Sequence, residues 1–362
     1  MKNSAKPKRG RGTAKSSKVK MLGRAITALE NDLRHLAELN RVIFPVIVGS
    51  AGLPGDVLVA RFDSAAPKSS ELLHLPAQGD FYFARRIDNS IYLVVGDATG
   101  HHAHAGGLKL YMATMLTRLF EKCEREKTLL SPTKILKQVD AWFSIATQSP
   151  TEDLGGAQLV LIRIDMAAPS SIRFASAGLP VYALGPDLDE YGAFNEFNRV
   201  QFRQAGEQAK SKRQVGEIAA RKACFLVVAT DGFHGLKRRV RAARRGRGKS
   251  GGDESFGLRG VKRALRRGYK AAAAGSAAVC PAERIADALT ESAKRFREGG
   301  PPKDYDDDHR LVVVVDLGAV WRMAETAAEA AALVPVPDAL RIGAGRASQA
   351  AENVGALTKC IP

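Results

Sequence analysis

The stretch VVGDATGHHAHAGG, residues 94–107, joins a hydrophobic strand to a helix through a carboxylate and a glycine turn. Asp97 ends the apolar run, and a second run, VVATDG, puts Asp231 in the same position. A strand end projects its side chain from a rigid element, and a following glycine lets the backbone turn sharply. One such aspartate often only initiates a turn, so the interpretation depends on how many occur.

Two further apolar strands begin at aspartates. Asp80 lies in QGDFYF, and the cluster 306–308 precedes LVVVV. Carboxylates that converge on one point repel each other and raise at least one pKa, and divalent cations remove that penalty. Oxygen ligands suit Mg²⁺ or Mn²⁺. Four strand-end acids therefore indicate a metal site, although the pattern alone does not show that they converge.

Three histidines, His101, His102 and His104, follow Asp97 and raise the question of zinc. Zinc requires three or four nitrogen or sulfur ligands in tetrahedral geometry. Adjacent histidines diverge, and no cysteine is near. We interpret these histidines as residues that shape the loop.

The order of the elements predicts an α+β fold with two mainly antiparallel sheets. Short strands rich in β-branched and aromatic residues come in runs, and two helices separate the runs. Ser131 before Pro132 is a helix N-cap signature. The four cysteines lack CxxC spacing, which fits free thiols in a reducing cytosol and predicts a cytoplasmic protein.

The net charge of +17 is concentrated in two segments. Residues 1–24 contribute +9 and residues 235–270 contribute +12, which leaves −4 on the remainder. Such segments either bind polyanions or acidic partners, or are solvated and idle. No apolar run approaches the ~18 residues of a membrane span, and the amino terminus lacks a secretory h-region.

The chain divides by composition into four predicted parts. Residues 1–20 form a disordered basic tail. Residues 21–45 form a helix with an apolar stripe, which either makes a dimer seam or packs on its own domain. Residues 46–317 form the main domain, with a basic insertion near 237–250. Residues 318–362 form an Ala-rich tail of part helix and part disorder.

In order and spacing, the motifs GDFY, GDATGH, FASAG, VVATDG and DDHRLVVVV resemble those of the metal-dependent protein phosphatases (PPM family). They are most similar to the bacterial SpoIIE/RsbU branch, over roughly residues 30–317. The resemblance implies an αββα sandwich with a dimetal site at one edge of the sheets. It identifies the main domain as the phosphatase domain, with residues 21–45 as a linker or dimerisation helix.

The resemblance also implies site residues and a reaction. The catalytic metal-binding aspartates would be Asp80, Asp97, Asp231 and Asp307, and the backbone carbonyl of Ala98 would be a further ligand. Two Mn²⁺ or Mg²⁺ ions would activate a water that hydrolyses phosphoserine or phosphothreonine. The implied partner is a phosphorylated protein, such as a STAS-type anti-sigma-factor antagonist.

Two basic features bear on substrate binding. Arg85 and Arg86 are close in sequence to Asp80, so they are candidates for holding a phosphate, although a solvated strand end is the alternative. The insertion Lys237–Lys249 is unlike the family, and we interpret it as a cationic flap that recruits an acidic partner.

A second function is a catalytically weak phosphatase-like module whose basic segments bind an acidic protein or nucleic acid. No RNP, zinc-finger or helix-turn-helix signature supports sequence-specific nucleic-acid recognition.

Overall fold

The computed structural model describes most of the main domain and part of the tail. The described residues are 50–51, 53–63, 79–98, 103–143, 155–166, 171–194, 198–201, 213–239, 253–274, 279–298 and 310–333. The predicted amino-terminal helix, Asp307, most of the basic insertion and the end of the Ala-rich tail lie outside these residues.

The described elements follow the predicted order of strands in runs with helices between them. The strands are β1 (Ser50–Ala51), β2 (Leu58–Asp63), β3 (Asp80–Ile87), β4 (Ser90–Ala98), β5 (Gly156–Asp165), β6 (Ser171–Ala177), β7 (Val181–Leu184), β8 (Leu188–Tyr191), β9 (Val200–Gln201), β10 (Gln214–Ala219), β11 (Phe225–Ala229), β12 (Lys237–Arg239), β13 (Asp253–Ser255) and β14 (Arg310–Asp316). The helices are α1 (Ala103–Arg125), α2 (Pro132–Trp142), α3 (Asp231–His234), α4 (Gly257–Ala274), α5 (Pro281–Glu298) and α6 (Leu317–Leu333).

The described strands form two large sheets and a short ribbon. The first sheet has the order β1-β3-β4-β5-β6-β10, and β9 also pairs with β5. The second sheet has the order β2-β14-β11-β7-β8, and β12 pairs with β13. Every pairing is antiparallel except that of β1 with β3. The prediction of two mainly antiparallel sheets is confirmed.

Each large sheet buries one face under a pair of helices. Helices α1 and α2 pack on the first sheet through a cluster that includes Phe81, Val94 and Leu116. Helices α4 and α5 pack on the second sheet through a cluster that includes Val227 and Val314. The other faces of the two sheets are turned toward each other, because the side chains of Thr230 and Gln158 form hydrogen bonds that cross from one sheet to the other. The layers are therefore helix, sheet, sheet, helix, as predicted.

The local sequence explains where helix α2 begins. Ser131 caps α2, because its hydroxyl oxygen accepts a hydrogen bond from Lys134 N at 3.3 Å, and Pro132 occupies the first turn.

The Ala-rich tail is helical from Leu317 to Leu333. The chain divides into a unit that ends at Ala319 and a second unit that begins at Val320. Within the described residues, no helix combines the length and apolar character of a membrane span.

Candidate metal centre

The first sheet brings two of the predicted aspartates together. Asp80 begins β3 and is paired directly with Asp97, the last residue but one of β4. Directly opposed residues of antiparallel strands lie on one face, with Cβ atoms roughly 5 Å apart. Asp80 is only 2% exposed and Asp97 only 9%. Two buried carboxylates at this separation disfavour each other's ionised form unless cations balance them.

The backbone beside these aspartates is shaped so that one carbonyl comes close to a glycine. Ala98 N donates a hydrogen bond to Gly79 O at 3.1 Å. A Cβ atom added at Gly79 would lie 2.3 Å from Ala98 O, the carbonyl oxygen that the family resemblance implies as a metal ligand. Only glycine leaves room for this carbonyl, so Gly79 sets the position of the oxygen next to Asp80.

The second sheet contributes Thr230 and Asp231 from the end of β11. Thr230 N donates to Leu311 O at 3.0 Å, and Leu311 N donates to Thr230 Oγ1 at 2.9 Å, which fixes the residue against β14. The Thr230 hydroxyl donates to Asp80 Oδ2 at 3.2 Å across the two sheets. Asp231, the next residue, begins α3. The threonine therefore fixes the end of β11 against Asp80 of the first sheet.

Gln158 connects the aspartates of the first sheet with Asp231 of the second. The sequence analysis did not predict it as a site residue. It is paired directly with Asp97 in β5, and its Nε2 donates to Asp231 Oδ2 at 2.9 Å. It is 2% exposed, and its buried Oε1 has no hydrogen-bond partner within the described part of the chain. An amide inside the apolar strand AQLVLI is the signal that marks it in the sequence.

Lys109 is a second site residue that the sequence interpretation missed. It is 6% exposed, on the sheet-facing side of α1 with Ala105 and Met112. Burial lowers the pKa of Lys109 to about 8, and the negative charge of Asp80 acts in the opposite direction. The signal for Lys109 in the sequence is its position as a single lysine on the apolar face of an amphipathic helix. Lys109 thus adds a positive charge within electrostatic range of Asp80.

The structure does not bring Arg85 and Arg86 to the aspartates. They lie five and six residues along β3 from Asp80, which is roughly 17–20 Å at about 3.3 Å per residue. Arg85 forms an ion pair with Glu124 at 2.5 Å, near the carboxyl end of α1. Arg86 donates from Nε to Asp88 O at 3.1 Å. Closeness in sequence is misleading here, because an extended strand carries successive residues away from its starting point.

The remaining predicted residues are only partly described. Asp307, His101 and His102 lie outside the described residues, and His104 contributes its backbone to α1. Among the described residues, no three His, Cys, Asp or Glu side chains cluster closely enough to hold a metal. Asp80 and Asp97 instead form a pair, and Asp231 is linked to them through Gln158. Hard oxygen ligands and a close backbone carbonyl are what Mg²⁺ and Mn²⁺ prefer, so the residues present fit such ions.

A buried histidine lies on the same short helix as Asp231. His234 Nδ1 is 3.3 Å from Thr230 O, which can only accept, so Nδ1 carries the proton. Nε2 then accepts the hydrogen bond from the Tyr182 hydroxyl at 2.9 Å. The ring also stacks on Phe194 at 4.7 Å between centroids. Burial lowers the pKa of His234 to about 4, against the raising effect of the Thr230 carbonyl.

This histidine makes stability depend on pH. In the unfolded chain it gains a proton below its ordinary pKa of about 6.5, whereas in the folded chain it stays neutral until about pH 4. The contribution of neutral His234 to the free energy of unfolding is therefore complete above pH 6.5. It decreases as the pH falls from 6.5 toward 4, by up to about 3 kcal/mol. We expect the free energy of unfolding of His234→Gln, measured with urea, to fall less between pH 6.5 and 4 than that of the wild type. Equal slopes for the two proteins would contradict the assignment.

The sheet order, the paired helices and the strand-end aspartates together define the PP2C-type phosphatase class. The family model for Stage II sporulation protein E (SpoIIE) matches residues 87–315, more than half of the chain. The chain therefore belongs to the SpoIIE family, whose catalytic domain is a PP2C-type serine phosphatase. The matched range contains Asp97, Asp231 and Asp307, and Asp80 lies seven residues before it.

One solved structure shows the same fold at low identity. The SiaA-PP2C domain of Pseudomonas aeruginosa is 17% identical, with a TM-score of 0.55, and the match covers 81% of this chain and 98% of that chain. A weaker match is to the PP2C phosphatase domain with a fragment of the regulatory domain of SpoIIE from Bacillus subtilis; it is 16% identical, has a TM-score of 0.44, and covers 72% of this chain and 63% of that chain. No curated protein matches the chain significantly.

Proposed function

We propose that this protein hydrolyses phosphoserine or phosphothreonine on a partner protein, using two Mn²⁺ or Mg²⁺ ions held between its two sheets. The observation that carries the proposal is the direct pairing of Asp80 with Asp97, linked through Gln158 to Asp231 of the other sheet. Membership of a family of serine phosphatases supports the reaction class.

The residues that would hold the ions are Asp80, Asp97, Asp231, the carbonyl of Ala98 and, outside the described residues, Asp307. When bound, such ions supply a nucleophilic water at neutral pH and neutralise charge on the phosphoryl oxygens. Two further side chains would position these ligands. Thr230 orients Asp80 by donating to Oδ2, and Gln158 orients Asp231 by donating to Oδ2. Positioning partners of this kind are worth a factor of ten to a hundred in metal affinity, as an order of magnitude.

The partner and the cellular setting are further parts of the proposal. We infer a cytoplasmic signalling phosphatase that acts on a phosphorylated regulator, such as a STAS-domain protein, and that dimerises through residues 21–45. The basic insertion Lys237–Lys249 serves as a cationic flap. Its first three residues, Lys237–Arg239, pair with Asp253–Ser255, which follow the insertion, in a ribbon that starts six residues after Asp231, and this pairing supports a flap close to the site.

Hydrolysis of an aryl phosphate and a phosphoserine peptide, with and without Mn²⁺, tests the proposal. We expect turnover of both compounds with Mn²⁺ and its loss with a chelator. A folded protein that turns over neither compound in Mn²⁺ or Mg²⁺ would contradict the proposal. Salt-sensitive binding of nucleic acid by such an inactive protein would favour the alternative of a phosphatase-like binding module.

Replacing Gln158 by Leu tests its positioning role. Leucine keeps most of the buried volume but removes the donor to Asp231 Oδ2, so we expect Mn²⁺ affinity to fall roughly tenfold. Isothermal titration calorimetry measures this directly. Gln138→Leu, at an exposed position of α2, is the matched control. Unchanged Mn²⁺ affinity in a folded Gln158→Leu protein would show that the amide does not orient Asp231.

A further inference from the structure

Helix α4 carries a row of positive side chains along its outer face. Arg259, Arg263, Arg266 and Lys270 are all exposed and follow one another at intervals of four, three and four residues. That spacing places them on one side of an α-helix over a length of about 16 Å. Arg267 is exposed on the flank of the same row. The sequence of α4, GLRGVKRALRRGYKAAAA, contains no acidic residue.

The packing of α4 fixes which side of the helix faces outward. Val261, Ala264, Leu265 and Gly268 are buried on the opposite side. A Cβ atom at Gly268 would lie 2.9 Å from the Cα atom of Ile285, so α4 and α5 are packed closely at this point. The helix cannot rotate without losing this contact. The four cations therefore form a fixed surface, which we call the α4 basic row.

Three acids of β8 and α5 are paired with cations outside this row. Glu190 forms an ion pair with Lys262, on the edge of α4, at 2.5 Å. On α5, Glu283 and Asp287 both pair with Arg61 of β2, at 2.9 and 3.2 Å. Within the described part of the chain, no ion pair involves a member of the α4 basic row. The row therefore presents its charge to solvent.

The α4 basic row is connected to the segment that carries Asp231. Phe233 and Leu236, just after Asp231, belong to the same hydrophobic cluster as Val261 and Leu265 of α4. Phe256 N, at the start of α4, donates to Leu236 O at 2.8 Å. A partner that docks on α4 is thus held on an element packed against the site segment.

We propose that the α4 basic row is an exosite that binds an acidic segment of the phosphorylated substrate protein. This inference rests on the proposed phosphatase function. Four cations over about 16 Å match an acidic helix of three turns or an extended acidic segment of about five residues. Electrostatic complementarity of this kind raises the rate of encounter and selects among partners. Single-stranded nucleic acid is disfavoured as the occupant, because the described outer side of α4 lacks exposed aromatic side chains on which bases stack. Tyr269 instead packs against the cluster beneath α4.

The test uses two fluorescent phosphoserine peptides with the same residues around the phosphoserine. One carries four glutamates beyond this core, and the other carries four glutamines. The variant replaces Arg259, Arg263, Arg266 and Lys270 by Gln. The control replaces four exposed cations of α1 and α2, on the other helical layer, and changes the net charge equally; these are Arg118, Arg125, Lys134 and Lys137.

We expect the wild type and the control to favour the acidic peptide about tenfold in kcat/KM and in direct binding, and less so at high salt. The α4 variant should lose this preference yet hydrolyse an aryl phosphate at the wild-type rate.

Retention of the preference by the α4 variant, or an equal loss in the control, would overturn the exosite. If the wild type hydrolyses nothing, the phosphatase proposal fails, and anisotropy of the same peptides still decides whether α4 binds acidic segments. Binding of a single-stranded 20-mer through α4, without discrimination between the peptides, would overturn the inference in favour of nucleic acid.

Discussion

Replacing Asp97 or Asp231 by Asn lowers kcat/KM for a phosphoserine peptide in Mn²⁺ by about a thousandfold. Asparagine keeps the size of the side chain but removes the negative charge that holds a divalent ion. Bound metal ions supply several kcal/mol of transition-state stabilisation, and about 4 kcal/mol corresponds to a thousandfold in rate. The two variants change proposed ligands from different sheets, because Asp97 belongs to β4 and Asp231 follows β11. Steady-state kinetics at saturating Mn²⁺ measures the effect.

A matched control is available on the second sheet. Asp189 is an exposed residue of β8, so Asp189→Asn changes the charge equally away from the site. We expect it to retain wild-type kinetics. If Asp97→Asn and Asp231→Asn remain within a few-fold of the wild type, the assignment of these aspartates as metal ligands is wrong.

Replacing Gly79 by Ala lowers kcat/KM about a hundredfold without removing any ligand. The added Cβ would lie 2.3 Å from Ala98 O, so the ends of β3 and β4 must move apart. Displacement of a catalytic group by about 1 Å costs roughly a hundredfold in rate. Overpacking also destabilises the fold by about 1–3 kcal/mol. Kinetics together with urea unfolding separates the two effects.

Gly107→Ala is the control for this substitution. Gly107 lies in α1, and an added Cβ there meets no atom within 4 Å. We expect full activity and a gain in stability of about 0.5–1 kcal/mol, because alanine favours the helix. Wild-type activity in Gly79→Ala would show that the position of the Ala98 carbonyl is irrelevant to catalysis.

The sequence predicted the fold class because the main strands and helices carry local signals. The strands β4, β5, β11 and β14 are apolar runs bounded by turn residues, and the cap at Ser131 marks the start of α2. The predicted role of strand-end aspartates also depends on a local property, since a strand end projects its side chain from a fixed point. The order of the motifs then indicated the family, which the SpoIIE match confirms.

The remaining features of the site depend on contacts between residues distant in sequence. Gln158 and Asp231 are 73 residues apart, and only the facing of the two sheets brings them to 2.9 Å. Lys109 differs from its neighbours in chemical type, yet its electrostatic interaction with Asp80 depends on how α1 crosses the first sheet. Arg85 shows the converse relation, since it is near Asp80 in sequence and pairs with Glu124 in space.

Calorimetric titration of the metal-free protein with Mn²⁺ tests the central claim most directly. If the two sheets jointly hold a pair of ions, the wild type binds two Mn²⁺ per chain, and Asp97→Asn and Asp231→Asn each weaken or abolish binding. Asp189→Asn should bind as the wild type does. Absence of Mn²⁺ and Mg²⁺ binding by the folded wild type would contradict the dimetal centre, and binding unaffected by both substitutions would contradict its placement at these aspartates.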